Sequence, residues 1–494
     1  MRRLFLAVGA TLVVAAALLT WWHLAFAWLL VPLVVLFGVG LRDMLQREHS
    51  ILRNFPLAGH LRFLFEAISP EIQQYFIERH TDGVPISRNH RALVYQRAKD
   101  LDPTHPFGTE LDLYDKGYEG LRHSMYPVQA LEQEPRVTIG AGRCTQPYEA
   151  SMLNISAMSY GALSGRAIEA LSHGARAGGF YLNTGEGSLT EHHLVGECDV
   201  VWQIGTGYFG CRDDQGRFDR DAFVERARRP EVKMIEIKLS QGAKPGHGGV
   251  LPAIKNTEEI ARVRLVEPHR TVLSPPGHSA FQGPRGLLEF VASLRELSGG
   301  KPVGFKLCIG REDEFRALCE AMVETDLLPD FITVDGAEGG TGAAPLEFTD
   351  SVGMPMRPAL QLVHRTLQEF DLRERLVLIA SGKLLTAASL VRALALGADV
   401  CNSARAFMLS LGCIQALRCD KNTCPTGVAT QDPELVKGLS VADKRLRVER
   451  FHRNTVRATL DLIAACGVSD PAQVTTDIFL DAESWADLGN PRPG

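Results

Sequence analysis

The chain is predicted to be an α/β protein built on a (β/α)8 barrel, with an N-terminal transmembrane hairpin and helical extensions. Three observations predict this. From about residue 150, short β-branched runs alternate with helical stretches, and eight of the runs qualify as strands. Polar and Gly-rich words follow several of those runs, at the strand ends where barrel enzymes keep their chemistry. An uncharged apolar stretch precedes all of it. A doubly wound open sheet is the alternative for the same alternation. The 494 residues divide into a hairpin (1–42), a helical or irregular cover (43–149), the barrel (150–431) and a helical tail (432–494). A net charge of −5 argues against a basic nucleic-acid surface. Ten cysteines in so long a chain are not a small disulfide scaffold, and their clustering favours a reducing compartment.

The hairpin rests on the stretch from Leu4 to Leu41, about 38 residues and long enough for two short spans. Trp21, Trp22 and His23 sit midway, where an interfacial turn places aromatic rings. Arg2 and Arg3 flank one end, Arg42 and Arg47 the other, so the positive-inside rule puts both ends in the cytoplasm, at the inner membrane. The competing reading is a signal peptide cut after Ala25-Phe26-Ala27, but residues 28–41 stay strongly apolar beyond that cut. Residues 51–66 mix basic and aromatic side chains. They are expected to pack on the main domain, with a position on the membrane surface as the alternative.

The eight strand candidates are residues 153–156, 180–183, 234–238, 271–274, 303–307, 331–334, 376–380 and 399–402. Residues 189–230 then form an insertion after the second strand. Helices are expected at 164–177, with Ser164 as its cap, and at 441–466. Lys238 and Lys306 each end a strand, and a lysine at a barrel mouth is costly to bury unless it meets an anion. Ser381-Gly382-Lys383 and Ser403-Ala404-Arg405 follow strands seven and eight, the loops with which barrels often bind phosphate. Asp335-Gly336-Ala337-Glu338-Gly339-Gly340-Thr341-Gly342 is too Gly-rich for regular structure and reads as a close-approach loop. His247 and His278 lie in loops. Each is an acid–base candidate near neutral pH or a polar filler.

Cys413, Cys419 and Cys424 are spaced C-x5-C-x4-C, with Pro425 after the third. Three thiolates so close can converge on one soft metal centre; the competing reading is three buried small residues. Three ligands are too few for a closed zinc site without a fourth.

The words around these cysteines, Gly412-Cys413 to Cys424-Pro425-Thr426-Gly427-Val428-Ala429-Thr430-Gln431, resemble the iron–sulfur loop of the glutamate synthase large subunit. Ile237-Lys238-Leu239-Ser240-Gln241-Gly242-Ala243-Lys244-Pro245-Gly246 and Asp335 to Pro345 resemble two further motifs of that family, in the right order, across roughly residues 130–435. The shorter, membrane-tethered FMN-binding members look most similar. The resemblance favours the barrel over the open sheet. It implies FMN, faced by Met158, Ser159, Lys238, Lys306, Asp335, Gly336, Gly339, Gly340, Thr341, Gly382, Ala404 and Arg405. It implies a 3Fe-4S cluster on Cys413, Cys419 and Cys424. Gln241, Lys244 and Arg264 are implied to bind a dicarboxylate such as 2-oxoglutarate. Lys238, Gln241, Lys244 and His247 are taken as the catalytic set.

This chain departs from the family pattern at His247, where Glu is usual, at Val250, where Gln is usual, and at Ser381, where Gly is common. The first two alter a substrate wall. No N-terminal nucleophilic Cys for glutamine hydrolysis and no dinucleotide fingerprint is evident, so a partner is expected to supply ammonia or electrons. The expected function is reduction of an imino acid, such as 2-iminoglutarate, to an amino acid. The alternatives are an amino or N-alkylamino acid dehydrogenase feeding membrane carriers, and a non-catalytic membrane redox scaffold.

Overall fold

The computed structural model describes residues 1–115 and 117–481, in two compact units, Met1–Arg88 and Asn89–Gly494. Residues 482–494 of the expected tail lie outside the described residues.

In the first unit, helices α1 (Arg2–Trp22) and α2 (Ala27–Leu45) form the two arms of a hairpin. Glycine lets the arms approach: the Phe5 ring lies over Gly40 and the Phe37 ring over Gly9, and the two rings stack at 5.4 Å. The turn falls where the aromatic residues predict it. His23 leaves helical geometry, and its Nδ1 accepts the Ala25 N–H at 3.2 Å. Trp21 and Trp22 are exposed there. Both arms, counted with the intervening turn as 21 and 22 residues, are long and apolar enough to cross a membrane. After a short helical turn at Ser50–Asn54 comes α3 (Ala58–Ile72), continued by a wider turn at Gln73–Ile77.

In the second unit, eight parallel strands close into a barrel: β1 (Leu153–Ile155), β2 (Leu182–Asn183), β3 (Val200–Ile204), β4 (Val232–Lys238), β5 (Val303–Leu307), β6 (Phe331–Asp335), β7 (Val377–Ser381) and β8 (Val400–Ser403). Neighbours in sequence are neighbours in the barrel, and β8 closes on β1 through Cys401–Leu153, Asn402–Asn154 and Ser403–Ile155. One of the eight strand expectations and the expected insertion need correcting. Val200–Ile204 is the third strand, not part of an insertion; every side chain in it is buried. Residues 271–274 do not enter the barrel. Val272–Leu273 pairs antiparallel with Val250–Leu251, and Leu273 is exposed. A run exposed on one side suits a hairpin outside the barrel better than a strand covered on both faces.

The barrel lumen is not wholly apolar. Glu236 is buried in it and accepts hydrogen bonds from Asn183 Nδ2 (2.8 Å), Gln203 Nε2 (2.6 Å) and Thr333 Oγ1 (2.7 Å). Helix α4 (Gly165–Gly178) follows β1, and Ser164 caps it as expected, accepting from Ala167 N–H at 3.2 Å. The tail helix α5 (Val441–Ala465) lies against α4, with Val448 seated on Gly174.

Candidate active site

Barrel register sets the site. Lys238 and Lys306 are paired neighbours on β4 and β5, Asp335 pairs with Ser381, and Ser381 with Asn402. The C-terminal rim therefore carries two adjacent cations followed by a polar arc. An open cleft lies over that arc. Ser156 and Ala157 line it after β1, Lys306 from β5, Asp335, Gly339 and Gly340 from β6, Ser381, Gly382, Lys383 and Leu385 from β7, and Asn402, Ser403, Ala404 and Arg405 from β8. Seven of the residues expected to face a cofactor thus converge: Lys306, Asp335, Gly339, Gly340, Gly382, Ala404 and Arg405.

The donors of the cleft fit the phosphate of the expected FMN. The N–H groups of Gly382, Lys383 and Ala404 make no hydrogen bond to other described residues. Gly382 has φ 134°, a conformation that side chains resist, so glycine is required where its loop turns. Lys306 Nζ is 3.6 Å from Asp335 Oδ2, both buried, and Arg405 donates to the Glu338 carbonyl. Burial lowers the Arg405 pKa, opposed by the carboxylates of Asp335 and Glu338. Free amides plus buried cations are what a phosphate needs.

Five expected residues lie away from this lining. Gly336 packs under Met356. Met158 is buried, and the Met158–Ser159 backbone packs on Gly185. Thr341 bonds within its own loop, donating to Ala343 O at 3.3 Å. Lys238 turns to a second cluster, centred on Glu186, to which Ser159 also connects.

Lys238 Nζ donates to Glu186 Oε1 at 2.8 Å and to Gln241 Oε1 at 2.6 Å. Glu186 sits in the Gly185–Gly187 turn after β2. Burial raises its pKa, but Lys238, Lys244 and Arg264 together outweigh that and hold it below the ordinary glutamate value. Lys244 Nζ donates to Ala343 O at 2.9 Å, and its pKa is lowered to about 8, by burial first and then by Lys238. Arg264 donates to Tyr160 O at 2.8 Å, reaches Ser159 Oγ at 3.5 Å and lies 5.1 Å over the Phe209 ring. Its Nε is buried without a partner among the described residues. Lys238, Gln241, Lys244 and Arg264 are thus brought together, as expected. Gly242 joins this cluster to the cleft. Its N–H donates to Asp335 Oδ2 at 2.9 Å, and a Cβ there would fall 1.6 Å from Gly336 O.

His247 behaves differently. Its Nδ1 bonds Gly248 O at 2.9 Å and its ring meets Phe348 edge-on, so its contacts lie within the outer loops rather than with Glu186. His278 uses both nitrogens, Nε2 donating to Lys238 O at 2.9 Å and Nδ1 bonding Tyr208 Oη at 3.0 Å. Burial lowers its pKa, so it buttresses Lys238 as a neutral ring. Glu186, Ser156 and Asn402 were not singled out in the sequence. For Glu186 the local sign, a carboxylate between two glycines at a strand end, names no partner.

The cysteine loop docks on the loop after β1. Lys255 Nζ donates to Ala162 O (2.7 Å), Cys419 O (3.1 Å) and Ala429 O (3.3 Å). Gln431 Nε2 donates to Leu163 O at 2.8 Å, and Ser164 Oγ to Gly427 O at 2.7 Å. Among the described residues no group of three or more His, Cys, Asp or Glu side chains is gathered tightly enough to hold a metal ion. The arrangement expected of Cys413, Cys419 and Cys424 is therefore not closed. Two of the thiols take local partners: Gln415 N–H reaches Cys413 Sγ at 3.4 Å, and Cys424 Sγ lies 3.4 Å from Thr426 Oγ1. The three do sense one another. Burial first, then Cys419 and Cys424, push the Cys413 thiol up to about 12.

Residues 110–469 match the family described as the conserved region in glutamate synthase. The chain belongs to the glutamate synthase family. A Bacillus subtilis relative, glutamate synthase large subunit-like protein YerD, is 39% identical over 89% of this chain and 91% of its own length. The archaeal glutamate synthase (NADPH) of Methanocaldococcus jannaschii is 34% identical over 64% of this chain, which spans 59% of that protein. Among solved structures, a lactate oxidase of Pediococcus acidilactici aligns with a TM-score of 0.47 and 11% identity, over 82% of this chain and 96% of that one. The glutamate synthase family is one of oxidoreductases acting on CH–NH2 donors, and the two clusters at the barrel mouth lie within its matched region.

Proposed function

We propose that this glutamate synthase family chain is an FMN- and iron–sulfur-dependent oxidoreductase that reduces a 2-imino acid, of which 2-iminoglutarate is the leading case, to the amino acid. The observation that carries it is the half-buried Glu186 carboxylate held among Lys238, Lys244 and Arg264 beside the amide-lined cleft. FMN, when bound, supplies hydride chemistry, and a 3Fe-4S cluster on Cys413, Cys419 and Cys424 supplies single electrons. The remaining steps belong to the protein. Gly382, Lys383 and Ala404 offer amides to the phosphate, with Arg405 beside them. Lys306 and Lys238 set a positive field along the rim, which favours a reduced, anionic ring.

Lys244 and Arg264 bind the substrate's carboxylates. Lys238 has three N–H donors and uses two on Glu186 and Gln241. The third points a proton at the substrate nitrogen, and Glu186 Oε1 takes up the proton that ammonia brings. Val250 lies in a short strand outside the barrel and offers no polar group to a substrate, which favours a relative of 2-oxoglutarate as the second reading, run in the oxidative direction toward a membrane carrier.

The hairpin anchors the chain in the inner membrane with the barrel in the cytoplasm, where a partner supplies electrons or ammonia. The test is glutamate formation from 2-oxoglutarate and ammonium by the detergent-purified protein under a strong reductant. Formation that Lys238→Ala abolishes supports the proposal. No product from 2-oxoglutarate, but quinone reduction by an amino acid, moves the second reading to first place.

A further inference from the structure

From the geometry of the first unit we infer that α3 is a third membrane-binding element, lying in the headgroup layer with one face in the acyl chains. The inference rests on the reading of the hairpin as membrane-spanning. Leu61, Leu64, Phe65, Ile68 and Ile72 recur at i, i+3, i+4, i+7 and i+11, one stripe of the helix. All five are exposed, Phe65 by 60% and Leu61 by 55%, so nothing in their own unit covers them. The other sides differ in chemistry. Arg62 Nε pairs with Glu66 at 2.7 Å, and Phe63 turns back to the His49 ring at 5.4 Å. An uncovered stripe of this size needs an apolar partner.

The partner is lipid because of where the helix is tied. Asp43, in the last turn of α2, is buried; its carboxylate accepts the Leu57 N–H at 3.1 Å and binds His60 Nε2 at 2.9 Å. Gly59 lets the start of α3 rest on Leu52, where a Cβ would be 2.9 Å from the leucine side chain. The first turn of α3 is therefore fastened to the last turn of a spanning helix, at the level where that helix leaves the acyl core. α1 and α2 themselves expose apolar surface along most of their length. Around the fastening, residues 42–62 carry four arginines against two acids, which suits the anionic cytoplasmic leaflet. An amphipathic helix in that layer buries its apolar face about 5–10 Å deep.

The test uses the full chain in nanodiscs of phosphatidylglycerol and phosphatidylcholine. A photoreactive benzoylphenylalanine is placed singly at Phe65, at Arg62 and, in the hairpin, at Leu12. Lipid adducts are read by mass spectrometry. Adducts at Leu12 and Phe65 with none at Arg62 are expected. Adducts at Leu12 alone, or Phe65 joined to protein, overturn the inference and leave the hairpin standing. No lipid adduct at Leu12 defeats the membrane reading itself. As a second measurement, Phe65→Glu with Leu64→Glu is expected to abolish lipid contact at Ile72 while the hairpin stays inserted. Unchanged lipid contact at Ile72 counts against the stripe.

Discussion

Lys244 is the residue whose chemistry is most exposed to pH. Its pKa of about 8 reflects burial and the neighbouring Lys238. Under the proposed role only the ammonium form grips a substrate carboxylate. The KM for 2-oxoglutarate should therefore rise about tenfold between pH 7 and pH 9, with kcat little changed. Lys244→Arg keeps its charge throughout, so initial-rate kinetics should show that inflection vanish. A KM that climbs equally in the variant points to another group. Glu186 makes the complementary case. As a proton acceptor it acts on kcat, so Glu186→Gln should lower kcat about a hundredfold or more with a smaller change in KM. Its folded-state pKa lies below the ordinary value, so its carboxylate stabilises the fold above that value and the contribution is lost as pH falls through the lowered one. The variant should accordingly unfold with a shallower acid dependence, measurable by circular dichroism. Lys238, Gln241 and Lys244 were legible because one contiguous word carries all three. Glu186 was not, because its role depends on β2 and β4 meeting across the barrel mouth, and a lone glutamate in a turn announces no partner.

At the scale of elements, the barrel strands were legible where β-branched runs had clear punctuation and misread where they did not. Val200–Ile204 contains Trp202 and Gln203 and follows a polar stretch, so it looked like part of an excursion; its burial comes only from closing the sheet. The opposite error arose at Val272–Leu273, whose local pattern is a strand's but whose partner is Val250–Leu251. The polar lumen was equally invisible, since Glu236 sits in a run that reads as alternating. Its carboxyl satisfies three buried donors from β2, β3 and β6. Glu236→Gln sets an amide N–H2 against side chains that already donate. It should cost about 2–4 kcal/mol of unfolding free energy, read as a fall in denaturant midpoint at constant slope. Glu236→Asp, which keeps the acceptor but not the reach, should lie between the two. Equal stability of Glu236→Gln and the native protein would falsify the claim that the lumen is organised by this carboxyl.

For the second unit as a whole, the question is how far its two proposed cofactor sites depend on each other. The amide-lined cleft is built by residues on the ends of β1 and β5–β8, held by the barrel's own hydrogen bonds. The cysteine loop comes after β8 and is fastened from outside, chiefly by Lys255 reaching three carbonyls in two different loops. Neither site uses a side chain of the other. Cys413→Ser, Cys419→Ser and Cys424→Ser should therefore each lose iron and labile sulfide while retaining one FMN per chain. Lys255→Met leaves three carbonyls short of a donor and should loosen the loop at a cost of about 1–3 kcal/mol. Its iron should fall toward that of the cysteine variants, with the flavin again retained. Flavin mass, iron and sulfide are measured on the same anaerobic preparation. If any of the four variants sheds FMN together with iron while remaining folded by circular dichroism, the loop is part of the flavin site, and the barrel is not the independent scaffold its hydrogen bonding describes.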